Sequence, residues 1–362
     1  MSEGHPLECY MHGIGTAVPE HWLDSEQSAE LLKQGCVSPR SAKLFQRIAR
    51  LTGIEKRHLA VLDYLEGNDG TPPFYRPSNE QPDGPGMAAR TALFDLAAAP
   101  LIKRALSGFT PDTLARVGTL VTATCTQAAS PGLEQPIFSH SAVPPNVQRW
   151  NLGFMGCSAG LAAMRLFHRS ADGDAMSLIV ACELSSLHFQ YTDELDQMTA
   201  NVLFADGAAA MLLSTNRSPV RVVDCRCATF PAVADQMVWF AGDHGLQLRL
   251  SQELPETLAA SLPYVVTEFL RRNGMSAKDV DHWLVHPGGP QILDSVEQSL
   301  GLADHALELS RAVLRRYGNM SSPTIFFIMK ELLDSRAVGH VLALAFGPGL
   351  TIESVLLHVS AG

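Results

Sequence analysis

The chain has 362 residues, 46% hydrophobic and 18% charged, with a formal net charge of −10. A disordered chain needs low hydrophobicity and high net charge, and a generally nucleic-acid-binding surface is basic overall, so both are excluded. No run of about 18 apolar residues occurs, so no membrane span is expected. The opening MSEGHPLECYMHG has no basic region followed by an apolar stretch, so no secretory signal is expected. Seven cysteines (Cys9, Cys36, Cys125, Cys157, Cys182, Cys225, Cys227) form no dense framework, which points to reduced thiols and a cytoplasmic protein.

In chain order, the first segment of note is KLFQRIARLTGIEKRHL, which places Lys43, Arg47, Arg50, Lys56 and Arg57 in one basic stretch of an acidic protein. Residues 62–86 are rich in Gly, Pro, Asp and Asn and read as a surface loop. TLVTATCT (119–126), SLIVACEL (177–184), DHWLVHP (281–287) and HVLALAF (340–346) are short apolar runs, as expected of strands buried on both faces. Helical patterns alternate with them at 157–170, 254–274 and 320–335. The second ends in arginines and Gly274, and Pro323 stands near the start of the third. RVVDCRCATF reads as a strand with Cys225 and Cys227 on one face. Two thiols without further ligands are a poor zinc site. A boundary near STNRSPV (214–220) divides the chain into two β/α halves, 1–218 and 219–362.

Three residues carry candidate chemistry. Cys157 in GFMGCSAG follows glycines and opens a helix, where backbone N–H groups and the macrodipole favour an anion and can lower a thiol pKa. It reads as a nucleophile or as a buried core thiol. His286 in WLVHPGGP ends a strand, the edge at which α/β sheets bind ligands. It reads as a catalytic base or a satisfied histidine. Asn319 in YGNMSSP stands before a helix and, on local pattern, reads first as an N-cap. AFGPGLTIE, with Gly347, Pro348 and Gly349, joins two strands as a tight turn or as a bare-backbone wall against a ligand.

Taken together, GFMGCSAG, VLFADGAAA, WLVHPGGPQILD, YGNMSSP and FGPGLTIE resemble the type III polyketide synthases, the chalcone-synthase-like branch of the thiolase superfamily, and MVWFAGDHG (237–245) resembles microbial members of it more than plant ones. The resemblance runs from about residue 10 to the end of the chain. It implies a five-layered αβαβα fold, a homodimer, and one site per subunit acting on free CoA thioesters, with no obligatory acyl-carrier protein and no metal or redox cofactor. By the same resemblance Cys157 is the acyl-carrying nucleophile. His286 stabilises its thiolate and, with Asn319, binds the malonyl thioester carbonyl. Phe204 gates the cavity, and Ser321, Gly347, Pro348 and Gly349 belong to its surroundings.

Arg47 matches a CoA-binding arginine of the family. Leu44 and Leu51 stand where the family has lysines, and Lys43 and Arg50, one residue away, are candidate replacements. Leu248 stands at the position of a second gatekeeper phenylalanine. Cys125 and His188 stand at cavity threonines, His188 as a hydrogen-bond donor to the chain or as filler of a polar gap. These departures imply an aliphatic starter extended two or three times to an alkylpyrone or alkylresorcinol-type product. Cys125 is equally compatible with a malonyl-only substrate and a small phenolic product. The rival readings are a single-step ketoacyl synthase of the initiation type and an inactive thiolase-fold dimerisation partner.

Overall fold

The structure is a computed structural model that describes residues 8–33, 38–64, 73–76, 79–170 and 176–361. Cys36 and residues 65–72 and 77–78 of the expected loop lie outside the described residues. The strands are β1 (Cys9–Ala17), β2 (Trp22–Leu23), β3 (Arg57–His58), β4 (Val117–Thr124), β5 (Gln148–Gly153), β6 (Met176–Leu184) and β7 (Asp206–Ser214). They continue with β8 (Val220–Thr229), β9 (Met237–Gly242), β10 (Gly245–Leu250), β11 (His282–Val285), β12 (Gly339–Gly347) and β13 (Thr351–Val359).

Nine of them form one sheet in the order β11-β12-β13-β8-β1-β7-β6-β4-β5. Its two halves meet at the antiparallel pair β1 and β8, along Cys9↔Val222, Tyr10↔Arg221 and Met11↔Val220 only. Every residue of β6 and β7 is buried. That explains why these strands read as continuous apolar runs and not as an alternation: both of their faces are covered.

The cover is helical on each side. Helix Ala159–Ser170 touches β4 and β6 of one half and β8, β12 and β13 of the other, and helix Thr324–Asp334 touches β1, β7 and β11. These two helices pack on each other and form the middle layer. Helix Met87–Leu106 lies on β1, β6 and β7 from outside. On the opposite side, Leu258, Leu262 and Phe269 of helix Leu254–Arg272 pack with Leu342 and Leu344 of β12. The intervening Val341, Ala343 and Ala345 belong to the core around the middle helices, as the two-residue period of a strand requires. The result is the expected αβαβα layering. Arg165 of the middle layer ties the halves together through two bonds to the buried carboxylate of Glu353 on β13, at 2.8 and 2.7 Å.

Three local expectations shift. β11 ends at Val285, so His286 is the first residue beyond the strand. A 3-10 turn, Gly156–Ser158, precedes the helix that begins at Ala159. The helix after Asn319 begins at Thr324 with Pro323 at its N-cap, so Asn319 is not a cap. Its backbone is instead engaged by Leu203 and Ala205.

Candidate active site

Cys157, His286 and Asn319 line one cavity of about 540 Å³. It lies where the carboxyl end of β11, the turn after β5 and the segment before helix Thr324–Asp334 come together. The turn carrying Cys157 is held from several sides. Phe154 and Gly156 adopt left-handed φ values of 58° and 59°. A Cβ on Gly156 would stand 2.5 Å from Pro348 Cδ, so glycine is required there both for conformation and for space. Gly156 N–H donates to Cys125 Sγ at 3.1 Å, and Ser158 Oγ donates to Met155 O at 2.9 Å.

Cys157 Sγ faces Asn319 Oδ1 at 4.0 Å. Burial pushes the thiol up to about 11; a hydrogen bond from Ser321 opposes this, and the charge of Glu183 adds to it. Desolvation and a nearby negative charge both disfavour a thiolate.

His286 is fixed by its backbone, with N–H to Leu344 O at 2.8 Å and its carbonyl accepting from Gly288 N–H at 3.0 Å. Its ring is buried, and neither Nδ1 nor Nε2 has a partner among the described residues. Burial brings its pKa down to about 3, so the ring is neutral near pH 7. A buried imidazole with both nitrogens unused is rare, because buried polar atoms are nearly always paired. In a cavity wall, such nitrogens point to a ligand.

Asn319 sits in a two-stranded bridge with Phe204. Its N–H donates to Leu203 O at 3.0 Å, and its carbonyl accepts from Ala205 N–H at 2.8 Å. Oδ1 accepts from Ser321 N–H at 2.8 Å, which leaves the side-chain NH2 as the donor available to a ligand. Phe204, the C-cap of helix Leu195–Leu203, lines the same cavity.

The remaining candidates divide. Leu248, Cys125, Ser321 and Pro348 line the cavity. Leu248 lies opposite Trp239 in the β9–β10 hairpin. His188 is not on the cavity wall: Nε2 lies 2.9 Å from Thr126 O and Nδ1 accepts from Leu246 N–H at 3.3 Å. Both nitrogens are used inside the protein, so the polar-gap reading holds and the substrate-bonding reading does not. Gly347 and Gly349 are not cavity wall either. A Cβ on Gly347 would meet Ser158 Oγ at 2.2 Å and Met155 O at 2.8 Å, so its bareness serves the Cys157 turn. Gly349 has φ 73° in the turn between β12 and β13, with nothing within 4 Å of a Cβ placed there.

Lys43, Arg47 and Arg50 are exposed on helix Pro39–Leu51. Ile48 and Leu51 of that helix line the cavity, so the cations flank its mouth. Leu51 itself is 69% exposed. Arg57, part of the same basic stretch, is buried instead.

Two further cavity residues, Glu183 and Trp239, are not among the sequence candidates. Glu183 is fully buried and accepts from Cys125 N–H, Thr126 N–H and the hydroxyls of Thr124, Thr126 and Ser322. Burial nevertheless raises its pKa to about 7. A lone acid inside an apolar strand is unusual enough to be noticed, but nothing in SLIVACEL shows what it faces. Trp239 stacks obliquely on Phe204 with ring centroids 5.9 Å apart, and its buried indole Nε1 is unpartnered among the described residues.

Comparison with known proteins gives the family. Residues 91–226 match the family profile described as FAE1/Type III polyketide synthase-like protein, and residues 229–360 match that of the chalcone and stilbene synthases, C-terminal domain. The chain belongs to the type III polyketide synthase family. The synthase is 29% identical to the alpha-pyrone synthesis polyketide synthase-like Pks18 of Mycobacterium tuberculosis, across 96% of this chain and 91% of that one. It is 28% identical to the 1,3,6,8-tetrahydroxynaphthalene synthase of Streptomyces coelicolor, across 94% and 89%. Among solved structures, PKS-I of the brown alga Ectocarpus siliculosus superposes with a TM-score of 0.89 at 25% identity, covering 99% of this chain and all of that one. The synthase is thus an acyltransferase-type condensing enzyme acting on CoA thioesters. No helix among the described residues is long and apolar enough to cross a membrane.

Proposed function

We propose that Cys157 carries the growing acyl chain, and that His286 and Asn319 form the electrophilic site for malonyl-CoA. The observation behind this reading is the convergence on one cavity of a thiol, an imidazole with two unused nitrogens and an amide donor. Burial disfavours each charge singly. Passing the proton from Cys157 to His286 creates both charges together, and each then compensates the other. The thiolate attacks the acyl-CoA carbonyl, and the departing CoA thiolate takes the proton back from His286.

Malonyl-CoA then binds with its thioester oxygen towards His286 and the Asn319 amide. As the bond to the carboxylate breaks and CO2 leaves, the electron pair moves into an enolate whose oxygen those donors hold. Donors aimed at developing charge in a dry site act at little reorganisation cost. The enolate carbon attacks the Cys157 thioester, the thiolate is expelled, and the lengthened β-ketoacyl chain returns to Cys157 for another round. Phe204 and Trp239 form the aromatic wall that excludes water during decarboxylation. No step needs a metal or a redox group.

Lys43, Arg47 and Arg50 receive the CoA phosphates at the mouth. Arg47 and Leu51 lie one helical turn apart, which puts a cation beside the apolar rim. Leu248, with Leu203, Met237, Leu254 and Leu350 in the wall, favours an aliphatic starter and an alkylpyrone or alkylresorcinol-type product. The chain functions in the cytoplasm as a homodimer of subunits each made of halves 1–218 and 219–362. The dimer is supported by the edge strand β5, almost wholly exposed, where Trp150 is 51% exposed, and by Phe154 just after it, 50% exposed. Bare sheet edges with exposed aromatics call for cover.

Incubating the enzyme with acyl-CoA and malonyl-CoA tests the reading. Release of a cyclic triketide or tetraketide is expected. A single β-ketoacyl product formed only on a carrier protein assigns the chain to the initiation-type ketoacyl synthases instead.

A further inference from the structure

Arg57 is one of the largest fully buried side chains in the fold, yet it makes no ion pair among the described residues. Its guanidinium is directed at backbone carbonyls. Nη1 donates to Asn201 O at 2.6 Å and to Phe204 O at 2.9 Å, and Nε donates to Ser28 Oγ at 3.3 Å. Asn201 and Phe204 close the C-terminal end of helix Leu195–Leu203, where carbonyls lack helical donors and the macrodipole is negative. The stem of the same side chain packs on the other strand of the bridge. A Cβ on Gly318 would lie 3.2 Å from Arg57 Cγ, and Gly318 immediately precedes Asn319. Asp206, whose charge favours the guanidinium, is itself held by Ala60 N–H at 2.7 Å and by Ser186 N–H and Oγ–H at 2.8 and 2.5 Å. One buried cation therefore touches both strands of the bridge that carries Phe204 and Asn319, from the side away from the cavity.

We propose that Arg57 is a positioning residue for enolate formation, holding Phe204 and Asn319 in register with each other and leaving acyl loading on Cys157 to other groups. The inference rests on Asn319 acting as the carbonyl donor. Its physical basis is that charge-assisted bonds to two carbonyls fix the 201–205 segment, to which Asn319 is tied at both N–H and C=O. A catalytic group moved by about 1 Å loses about 100-fold in rate. The Cys157 turn is held separately by Cys125, Ser158 and Pro348, so the thiol keeps its place when the bridge loosens.

The experiment compares wild type, Arg57→Met, Arg57→Lys and Asn319→Ala. Two readings are taken on each folded variant: covalent loading of acyl-CoA by intact-protein mass spectrometry, and malonyl-CoA decarboxylation with its kcat and KM. Arg57→Met keeps the stem against Gly318 and removes the donors. It is expected to load to the wild-type extent while decarboxylation kcat falls about 100-fold at a KM within about threefold of wild type, with Arg57→Lys partly restoring kcat. Unimpaired decarboxylation in Arg57→Met, or a parallel fall of loading and decarboxylation, overturns the proposal and leaves Arg57 a purely structural group. If Arg57→Met does not fold, Arg57→Lys decides by the same split. Asn319→Ala separates the two levels: full decarboxylation there refutes the Asn319 reading itself, whatever Arg57 does.

Discussion

Cys157 Sγ lies 4.0 Å from Asn319 Oδ1, although 162 residues separate them in the chain. Cys157 comes from the β5–helix turn of one half of the sheet and Asn319 from the segment leading into the second middle-layer helix. Their meeting depends on the two middle helices packing against each other.

Replacing the thiol separates the two half-reactions. Cys157→Ala removes the acyl carrier but leaves His286 and Asn319 in place. Starter loading is expected to vanish, while conversion of malonyl-CoA to acetyl-CoA and CO2 continues. Product chromatography reads both outcomes, and full-length polyketide from this variant removes Cys157 from its assigned role.

Asn319→Ala and His286→Ala should each reduce decarboxylation by about 10²–10³, the usual cost of one lost donor at a developing oxyanion. His286→Ala should also slow alkylation of Cys157 by iodoacetamide, because the proton acceptor is gone. Asn319→Ala should affect alkylation much less. Stopped-flow alkylation alongside decarboxylation rates distinguishes the two residues.

Glu183 offers a pH test. Its folded-state pKa is raised by burial to about 7 from an ordinary value of 4.5. Between those values the folded protein binds the extra proton, so this group's contribution is full below about pH 4.5 and is lost as pH rises through 7. Melting temperatures of wild type and Glu183→Gln across pH 4 to 8 should therefore diverge, with wild type losing stability relative to the variant as pH rises. The hydroxyls of Thr124, Thr126 and Ser322 can rotate to accept from the new amide, so the variant should fold. Removing the negative charge should also lower the Cys157 thiol pKa, seen as alkylation starting at lower pH.

Much of this site is legible in the sequence because its special backbone needs special residues. The glycines around Cys157 and in FGPGL mark close approaches, and HPGGP marks a strand end. Continuous apolar runs such as SLIVACEL announced strands covered on both sides. The remainder depends on contacts between distant segments. His188 looked like a cavity residue by position, but the loop after β6 turns it towards Thr126 and Leu246. Arg57 stands in the basic stretch that also holds Lys43, Arg47 and Arg50, but β3 faces inward and buries it under the Phe204 bridge. Asn319 looked like a helix cap, but the chain runs on as far as Pro323 before the helix starts. Local spacing does not encode which face of a short strand is covered, or by what.

Gly347→Ala tests the turn rather than the chemistry. The new methyl would fall 2.2 Å from Ser158 Oγ and 2.8 Å from Met155 O. Overpacking of this kind costs about 1–3 kcal/mol. Denaturant unfolding should show that loss, accompanied by slower acyl loading, since the displaced residues flank Cys157.

Leu248→Phe should narrow the cavity opposite Trp239 and shift starter preference away from bulky acyl groups. Competition between short and long acyl-CoA starters, read by product mass, measures the shift. An unchanged profile would show that the starter does not reach this wall.

The central claim is that the acyl chain rides on Cys157, and trapping that chain tests it most directly. Wild-type enzyme is incubated with an acyl-CoA alone, quenched in acid and digested, and the acylated peptide is sequenced by mass spectrometry. A single thioester on the peptide bearing Cys157, absent from Cys157→Ala, is the predicted result. An adduct on Cys125 or another thiol, or acylation undiminished in Cys157→Ala, contradicts the account.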